Sequence, residues 1–229
     1  DMGTLIVVLA IALFIAYVGG VNRNGFIAVC LVILVGGVGL VNAKAYRKER
    51  FVNHARRWDA DKVDGDTYQA VRAEADLAMG GLTGVGLGNG HAKQVIPAPT
   101  TDYVMATVGE EAGLLGSWGI LGLLSLVVAR LFVLARRTRD AFAAMTLCGA
   151  AAWIGFQTAV NVCMVMGLIP PVGIPVPFIS SGGSSLIGLL AAIGLAQSAW
   201  AGDSATKKEA RRAVRRDGRG YRRTRLSRA

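Results

Sequence analysis

Five apolar runs, each close to the length of a membrane span, constrain this chain more than any other feature. They cover residues 3–20, 26–41, 112–134, 141–169 and 184–200. A helix needs about 20 predominantly apolar residues to cross the hydrocarbon core. The hydrophobic share is 53%, above the about 45–50% of soluble domains. The expected fold is an all-α integral membrane protein with five transmembrane helices and a large extracytoplasmic loop.

Lys and Arg in short connections set the orientation. Residues 207–228 hold eleven Lys/Arg against Glu209 and Asp217, which puts the C-terminus in the cytoplasm. Arg136, Arg137 and Arg139, and Arg23 at the earlier turn, then fall on the same side. Four segments follow. Residues 1–43 hold two spans, 44–105 the external loop, 106–201 three spans with a Pro-rich external connection, and 202–229 a basic cytoplasmic tail, disordered beyond about Ala210. The loop carries nine Lys/Arg over residues 42–101. An external loop this basic is tolerated because the orientation rule weakens with loop length, and its cations suit a bound anion such as phosphate. The chain starts at Asp1, with no initiator Met and no secretory signal, and is expected to be the later part of a longer protein.

Other function classes are disfavoured. Basic tails bind nucleic acid, but beside membrane spans anionic lipid is the better partner. Cys30, Cys148 and Cys163 all sit in apolar runs and form no CxxC pair, so they read as small core or lipid-facing residues. His54 and His91 are the two histidines. Without an HxxxH or paired Cys they do not make a tight zinc site.

The external segments carry the chemistry. Six of the eleven residues from Gly80 to Gly90 are glycine, a composition used for tight turns or close backbone approach to a ligand. Gly86 and Gly88 are candidate ligand contacts. Asp102 and the pair Glu110-Glu111 follow where the chain enters the membrane, and a carboxylate there is a functional candidate by default. Tyr68–Met79 reads as a short amphipathic helix, with Arg72 and Asp76 as an i,i+4 pair. The connection Ile169–Phe178 holds Pro170, Pro171, Pro175 and Pro177 and cannot be a continuous helix. Irregular backbone at membrane depth must be buried in protein or line a cavity, so a re-entrant segment is expected. Gln157 and Asn161, four apart in a span, read first as inter-helix hydrogen-bonding groups and second as cavity groups.

These segments together resemble the SEDS family (shape, elongation, division and sporulation) of FtsW-, RodA- and SpoVE-like proteins. Asp1-Met2-Gly3-Thr4 is similar to the family's P-D-L-G-T, and Tyr68-Gln69 to its Y-Q. Gly80–Gly90 is similar to G-G-L-x-G-x-G-L-G-x-G/S. Thr101-Asp102-Tyr103 with Glu110-Glu111-Ala112-Gly113-Leu114 is similar to H-T-D-F followed by E-E-L-G-L. Gly173–Phe178 with Ser181–Ser185 is similar to G-I-P-L-P-F-I-S-Y-G-G-S-S. The order of the five matters more than any one. Family members have ten spans, so the chain resembles about half of that fold. It departs from the pattern at Thr100, where the family has His, and at Ser181, where it has Tyr.

The resemblance implies a peptidoglycan glycosyltransferase of the bacterial plasma membrane. Such an enzyme polymerises lipid II, a disaccharide-pentapeptide on undecaprenyl pyrophosphate, and works with a class B penicillin-binding protein and other divisome or elongasome proteins. It implies Asp102 as the catalytic base. One carboxylate suffices because pyrophosphate leaves as an anion, whereas glycosidases need two. A leaving pyrophosphate does need cations. The candidates are Lys93, Arg47, Lys48 and Arg50, with lipid-headgroup or solvent contact as the alternative. Pro175, Pro177, Ser184 and Ser185 are further candidate substrate contacts. Glu110 and Glu111 either hold a divalent cation, Mg²⁺ or Mn²⁺, or stabilise a helix start. No organic cofactor is expected. A flippase for a lipid-linked precursor and a non-catalytic scaffold for the penicillin-binding protein are the competing readings.

Overall fold

A computed structural model describes residues 2–42, 45–59, 67–91 and 101–226 of the chain. Seven helices form among them: α1 (Met2–Val18), α2 (Arg23–Asn42), α3 (Ala45–Ala55), α4 (Tyr68–Met79), α5 (Val104–Arg137), α6 (Ala141–Val165) and α7 (Gly183–Leu226). Three stretches are long and apolar enough to cross a membrane: Val104–Arg137, Ala141–Val165 and Gly183–Ala205. Two shorter apolar helices, Gly3–Val18 and Arg23–Gly37, accompany them.

α6 is the central element, packed against α1, α5 and α7. Its core face is built largely from small residues, with Ala143, Ala150, Ala151 and Ala152 all buried. Small side chains let helix backbones approach closely, the main route to helix association in lipid. Larger side chains fill the remaining gaps. Leu147 and Ile154 are almost fully buried, and Phe14 of α1 meets Phe132 of α5 at 5.8 Å between ring centroids. The opposite faces of α2, α5 and α7 display apolar side chains outward, among them Val32, Leu123 and Ile187. Outward apolar faces fit helices whose solvent is lipid.

The turn between α5 and α6 is pinned by two carboxylates. Asp140 caps α6 by accepting from the Ala143 N–H at 2.8 Å. Asp203 of α7 accepts from the Arg139 and Asp140 N–H groups, both at 3.2 Å. The end of α5 and the start of α6 are thereby tied to the middle of α7.

Two features differ from the sequence expectations. The loop holds a second helix, α3, beside the one expected from the sequence. α7 also remains helical to Leu226, where disorder was expected beyond about Ala210. The Ala-, Arg- and Lys-rich tail is made of strong helix formers, so it extends the helix that precedes it. α4 spans Tyr68–Met79 as expected.

Candidate functional site

Helix α5 is broken at Gly113, and the break organises the Gly-rich loop. Gly113 inside α5 has φ 66° and ψ −164°, a region essentially restricted to glycine. Such a break orphans carbonyls on one side and N–H groups on the other. The loop supplies both sets of partners. Val85 N–H donates to the Glu110 carbonyl at 2.9 Å and Gly86 N–H to the Glu111 carbonyl at 3.0 Å. Leu114 and Leu115 N–H groups donate to the Gly81 and Leu82 carbonyls at 2.9 and 3.1 Å. The glycines are required by proximity. A Cβ on Gly84 would collide with the Glu111 main chain, and one on Gly80 with Gly109.

Glu110 and Glu111 complete this clasp. Glu110 Oε1 accepts from the His91 N–H at 2.8 Å, and Glu111 Oε2 accepts from the Gly88 N–H at 3.1 Å. Both carboxylates lie against Gly90. Glu110 is 1% exposed. Asp76, fully buried on α4, lies near enough to Glu110 to feel its charge. Burial pushes the Asp76 carboxyl above the usual carboxylate range, opposed by Arg72 at 3.2 Å. Among the described residues no three His, Cys, Asp or Glu side chains converge as a metal cage. The main-chain N–H groups of Gly86 and Gly88 are engaged by Glu111, so these two glycines shape the loop.

Asp102 stands apart from that clasp, just before α5. Four hydrogen bonds fix the main chain around it and the Pro-rich connection. Asn161 Nδ2 donates to the Asp102 carbonyl at 2.7 Å and to the Ile174 carbonyl at 2.6 Å. Ser180 Oγ donates to the Thr101 carbonyl at 2.6 Å and accepts from the Val176 N–H at 2.8 Å. The Pro-rich connection is thus stitched to residues 101 and 102. The Asp102 carboxylate lies against Gly173, where a Cβ would stand 3.4 Å from Oδ2. Partial burial raises the Asp102 carboxyl above its ordinary value. That shift makes it a stronger base once ionised.

The other candidates fall in different places. Arg50 of α3 reaches the Pro-rich connection, with Nη1 donating to the Pro171 carbonyl at 3.4 Å. Arg47 and Lys48 lie on α3, and their side chains are outside the described set, as is all of Lys93. Pro177 is fully buried and Pro175 partly so. Ser184 is exposed and Ser185 half-buried in the first turn of α7. The structure brings Asp102, Arg50 and the Pro-rich segment together, and it places Gly86, Gly88, Glu110 and Glu111 in the separate clasp. Sequence reasoning missed Ser180. It also read Asn161 first as bonding another helix, whereas its donors meet loop carbonyls.

Several known proteins are similar to this chain in sequence or in structure. The chain is similar to the probable peptidoglycan glycosyltransferase FtsW of Methylomonas methanica, 33% identical over 191 residues. It is also similar to the stage V sporulation protein E of Bacillus subtilis, 34% identical over 196 residues. These alignments cover 82% and 85% of this chain but 49% and 53% of the relatives, so the chain spans about half their length. Among solved structures, one describing coordination of polymerization and crosslinking by a peptidoglycan synthase complex matches with a TM-score of 0.68. The match has 29% identity and covers 89% of this chain and 56% of that one. A crystal structure of a mutant rod shape determining protein RodA from Thermus thermophilus matches with a TM-score of 0.55 and 28% identity, covering 86% of this chain and 48% of that one. The FtsW/RodA/SpoVE pattern, described as cell cycle protein, extends over residues 1–202, and the chain belongs to that family.

Proposed function

We propose that the protein containing this chain is a peptidoglycan glycosyltransferase that polymerises lipid II, with Asp102 as its general base. The observation that carries this reading is the setting of Asp102, a partly buried carboxyl against Gly173 whose main chain is bound by Asn161. Fixing a base in this way reduces the reorganisation needed at the moment of proton transfer. In the reaction, the acceptor hydroxyl gives its proton to Asp102. Its oxygen bonds to the anomeric carbon of the donor sugar. The carbon–oxygen bond to pyrophosphate breaks, and the electron pair leaves on pyrophosphate.

A divalent cation, Mg²⁺ or Mn²⁺, would arrive with the pyrophosphate, since these ions bind mainly through substrate phosphates. Glu110 Oε1 and Glu111 Oε2 already accept loop N–H groups, so the role we propose for this pair is to fasten the loop rather than to hold a resident metal. Lys93, Arg47 and Lys48 remain the cations proposed for the pyrophosphate. The proposed topology has five spans, α1, α2, α5, α6 and the first half of α7, in the bacterial plasma membrane with a cytoplasmic C-terminus. The proposed partner is a crosslinking class B penicillin-binding protein, in keeping with the peptidoglycan synthase complex among the structural neighbours.

The test is polymerisation of purified lipid II by the full-length protein with its penicillin-binding partner, wild type beside Asp102→Ala. Glycan strands from wild type and none from the variant support the proposal. Strands from both remove Asp102 as the base. Strands from neither, with a folded complex, favour the flippase or scaffold readings.

A further inference from the structure

Two amides lie one turn apart on the buried face of α6: Gln157, 7% exposed, and Asn161, 0% exposed. Residues four apart on a helix face one another, with Cβ atoms about 5–6 Å apart. Both were expected to bond a neighbouring helix. Asn161 instead spends its Nδ2 on the carbonyls of Asp102 and Ile174. Its Oδ1 is buried with no hydrogen-bond partner among the described residues, and so is Gln157 Oε1.

These two oxygens matter because of what the other end of Asn161 does. An amide reversed about its last torsion would turn Oδ1 toward the carbonyls of Asp102 and Ile174. Both would lose their donor and meet a third acceptor. A donor on Oδ1 prevents this, since it fixes which end of the amide faces the carbonyls. Buried polar groups are nearly always satisfied in the working state, so such a donor is needed.

The neighbouring hydroxyls are already committed. Thr158 Oγ1 donates to the Ile154 carbonyl at 2.7 Å, and Ser180 Oγ donates to the Thr101 carbonyl at 2.6 Å. The Tyr103 hydroxyl lies toward α3 and α4, where it feels the charges of Arg50 and Glu74. α6 carries no charged residue between Ala141 and Val165. Gln157 is the amide within reach on the same face. Its N–H groups supply the donor if the side chain turns toward Asn161. Alternatively, one buried water donates a hydrogen to each of the two oxygens, the pairing that two adjacent acceptors call for.

We infer that Gln157 is a positioning residue for the proposed reaction: it holds Asn161 Oδ1, directly or through one water, and so keeps the Asn161 Nδ2 hydrogens on the main chain of Asp102. This rests on the reading of Asp102 as the general base. Gln157 touches neither substrate nor base. It acts through Asn161, in the way that a third group orients the base of a catalytic triad.

The experiment is steady-state polymerisation of purified lipid II by the full-length protein with its penicillin-binding partner. Rates are taken per folded molecule, with folding followed by thermal unfolding. Gln157→Met keeps the side-chain length, removes the amide and suits an apolar span. It should lower kcat about tenfold, as for a base out of place, with KM little changed. In the Asn161→Leu background the same substitution should change kcat by less than about twofold, because the residue through which Gln157 acts is gone. Thr158→Val, beside Gln157, should keep the wild-type kcat. An unchanged kcat in Gln157→Met, a rise in KM alone, or the same fold-loss with and without Asn161 would overturn the inference. So would an equal loss in Thr158→Val, which would mark a general disturbance of α6. Asp102→Ala in the same assay separates the two readings. Strands from that variant remove the base, and its positioning with it. No strands from it, beside a normal kcat in Gln157→Met, remove the role of Gln157 alone.

Discussion

One side-chain nitrogen, Asn161 Nδ2, holds the Asp102 carbonyl at 2.7 Å and the Ile174 carbonyl at 2.6 Å. Its two hydrogens thus join the residue before α5 to the Pro-rich connection. Asn161 is 0% exposed, so nothing from solvent replaces it. Asn161→Leu strips both carbonyls of their donor, and each orphaned group costs about 1–3 kcal/mol. We expect the kcat of polymerisation to fall by at least about tenfold, as for a misplaced base, with KM little changed. A purely structural role would instead lower the amount of folded enzyme and leave the kcat per folded molecule intact.

The pH profile tests the Asp102 environment. Burial raises its carboxyl, and a general base works only when ionised. Activity should therefore be full above the raised pKa and fall as pH drops through it. The acid limb of kcat/KM should have its midpoint above the ordinary aspartate value of about 3.9. A midpoint at or below that value contradicts a buried base. The linkage has the opposite sign for stability. The folded state binds this proton more tightly than the unfolded chain, so Asp102 weakens the fold as pH rises through the same window.

Much of this was legible in the sequence, for identifiable reasons. α4 matched because Tyr68–Met79 has both an apolar periodicity and the Arg72–Asp76 pair. The Pro-rich connection was recognisable because proline excludes a helix. The break at Gly113 was not, since a glycine between Ala112 and Leu114 looks like any other in an apolar run. The partners of Glu110 and Glu111 were equally hidden. They lie 23 and 19 residues away at Gly88 and His91, and their contact depends on how the loop folds back. Helix α3 was missed because its AYRKERF run is strongly polar on average, which hides the sidedness of its few apolar residues. Ser180 was missed because a serine after Pro-rich backbone has many uses, and only its 2.6 Å bond to the Thr101 carbonyl singles one out.

Substituting Gly113 probes the helix break. Gly113→Ala forces a side chain into a positive-φ conformation and against the main chain of Leu82 and Gly84. Such strain costs about 1–3 kcal/mol, so the unfolding temperature should drop by several degrees. Gly119→Ala is the control. No atom lies within 4 Å of its Cβ position, and alanine in a helix is favoured over glycine by about 1 kcal/mol. It should leave the unfolding temperature unchanged or raised. Equal loss in both variants would count against the break.

The clasp and a resident metal make opposite predictions for Glu111. If its Oε2 serves the Gly88 N–H, Glu111→Ala should speed hydrogen exchange of the loop amides at Val85, Gly86 and Gly88. Treatment of the wild type with EDTA should leave those rates alone. Loop exchange that accelerates with EDTA, to the level of the variant, would restore the metal reading.

The pair Arg57 and Glu74 tests whether the turn that ends α3 is coupled to α4. Their side chains are 18% and 16% exposed, so water screens them poorly, unlike the exposed Arg56–Asp59 pair at 61% and 42%. A surface pair contributes at most about 1 kcal/mol. Removing one partner of a mostly buried pair costs more, because the other charge remains desolvated. Arg57 also donates to the His54 and Gly167 carbonyls, which adds to the loss. Arg57→Met and Glu74→Gln should each destabilise the fold clearly. The double variant should be less destabilised than the two losses added, with a coupling of about 0.5–3 kcal/mol. The same cycle on Arg56 and Asp59 should give coupling near zero. Additive losses at Arg57 and Glu74 would mean that the two helices are held by the surrounding packing and not by this bridge.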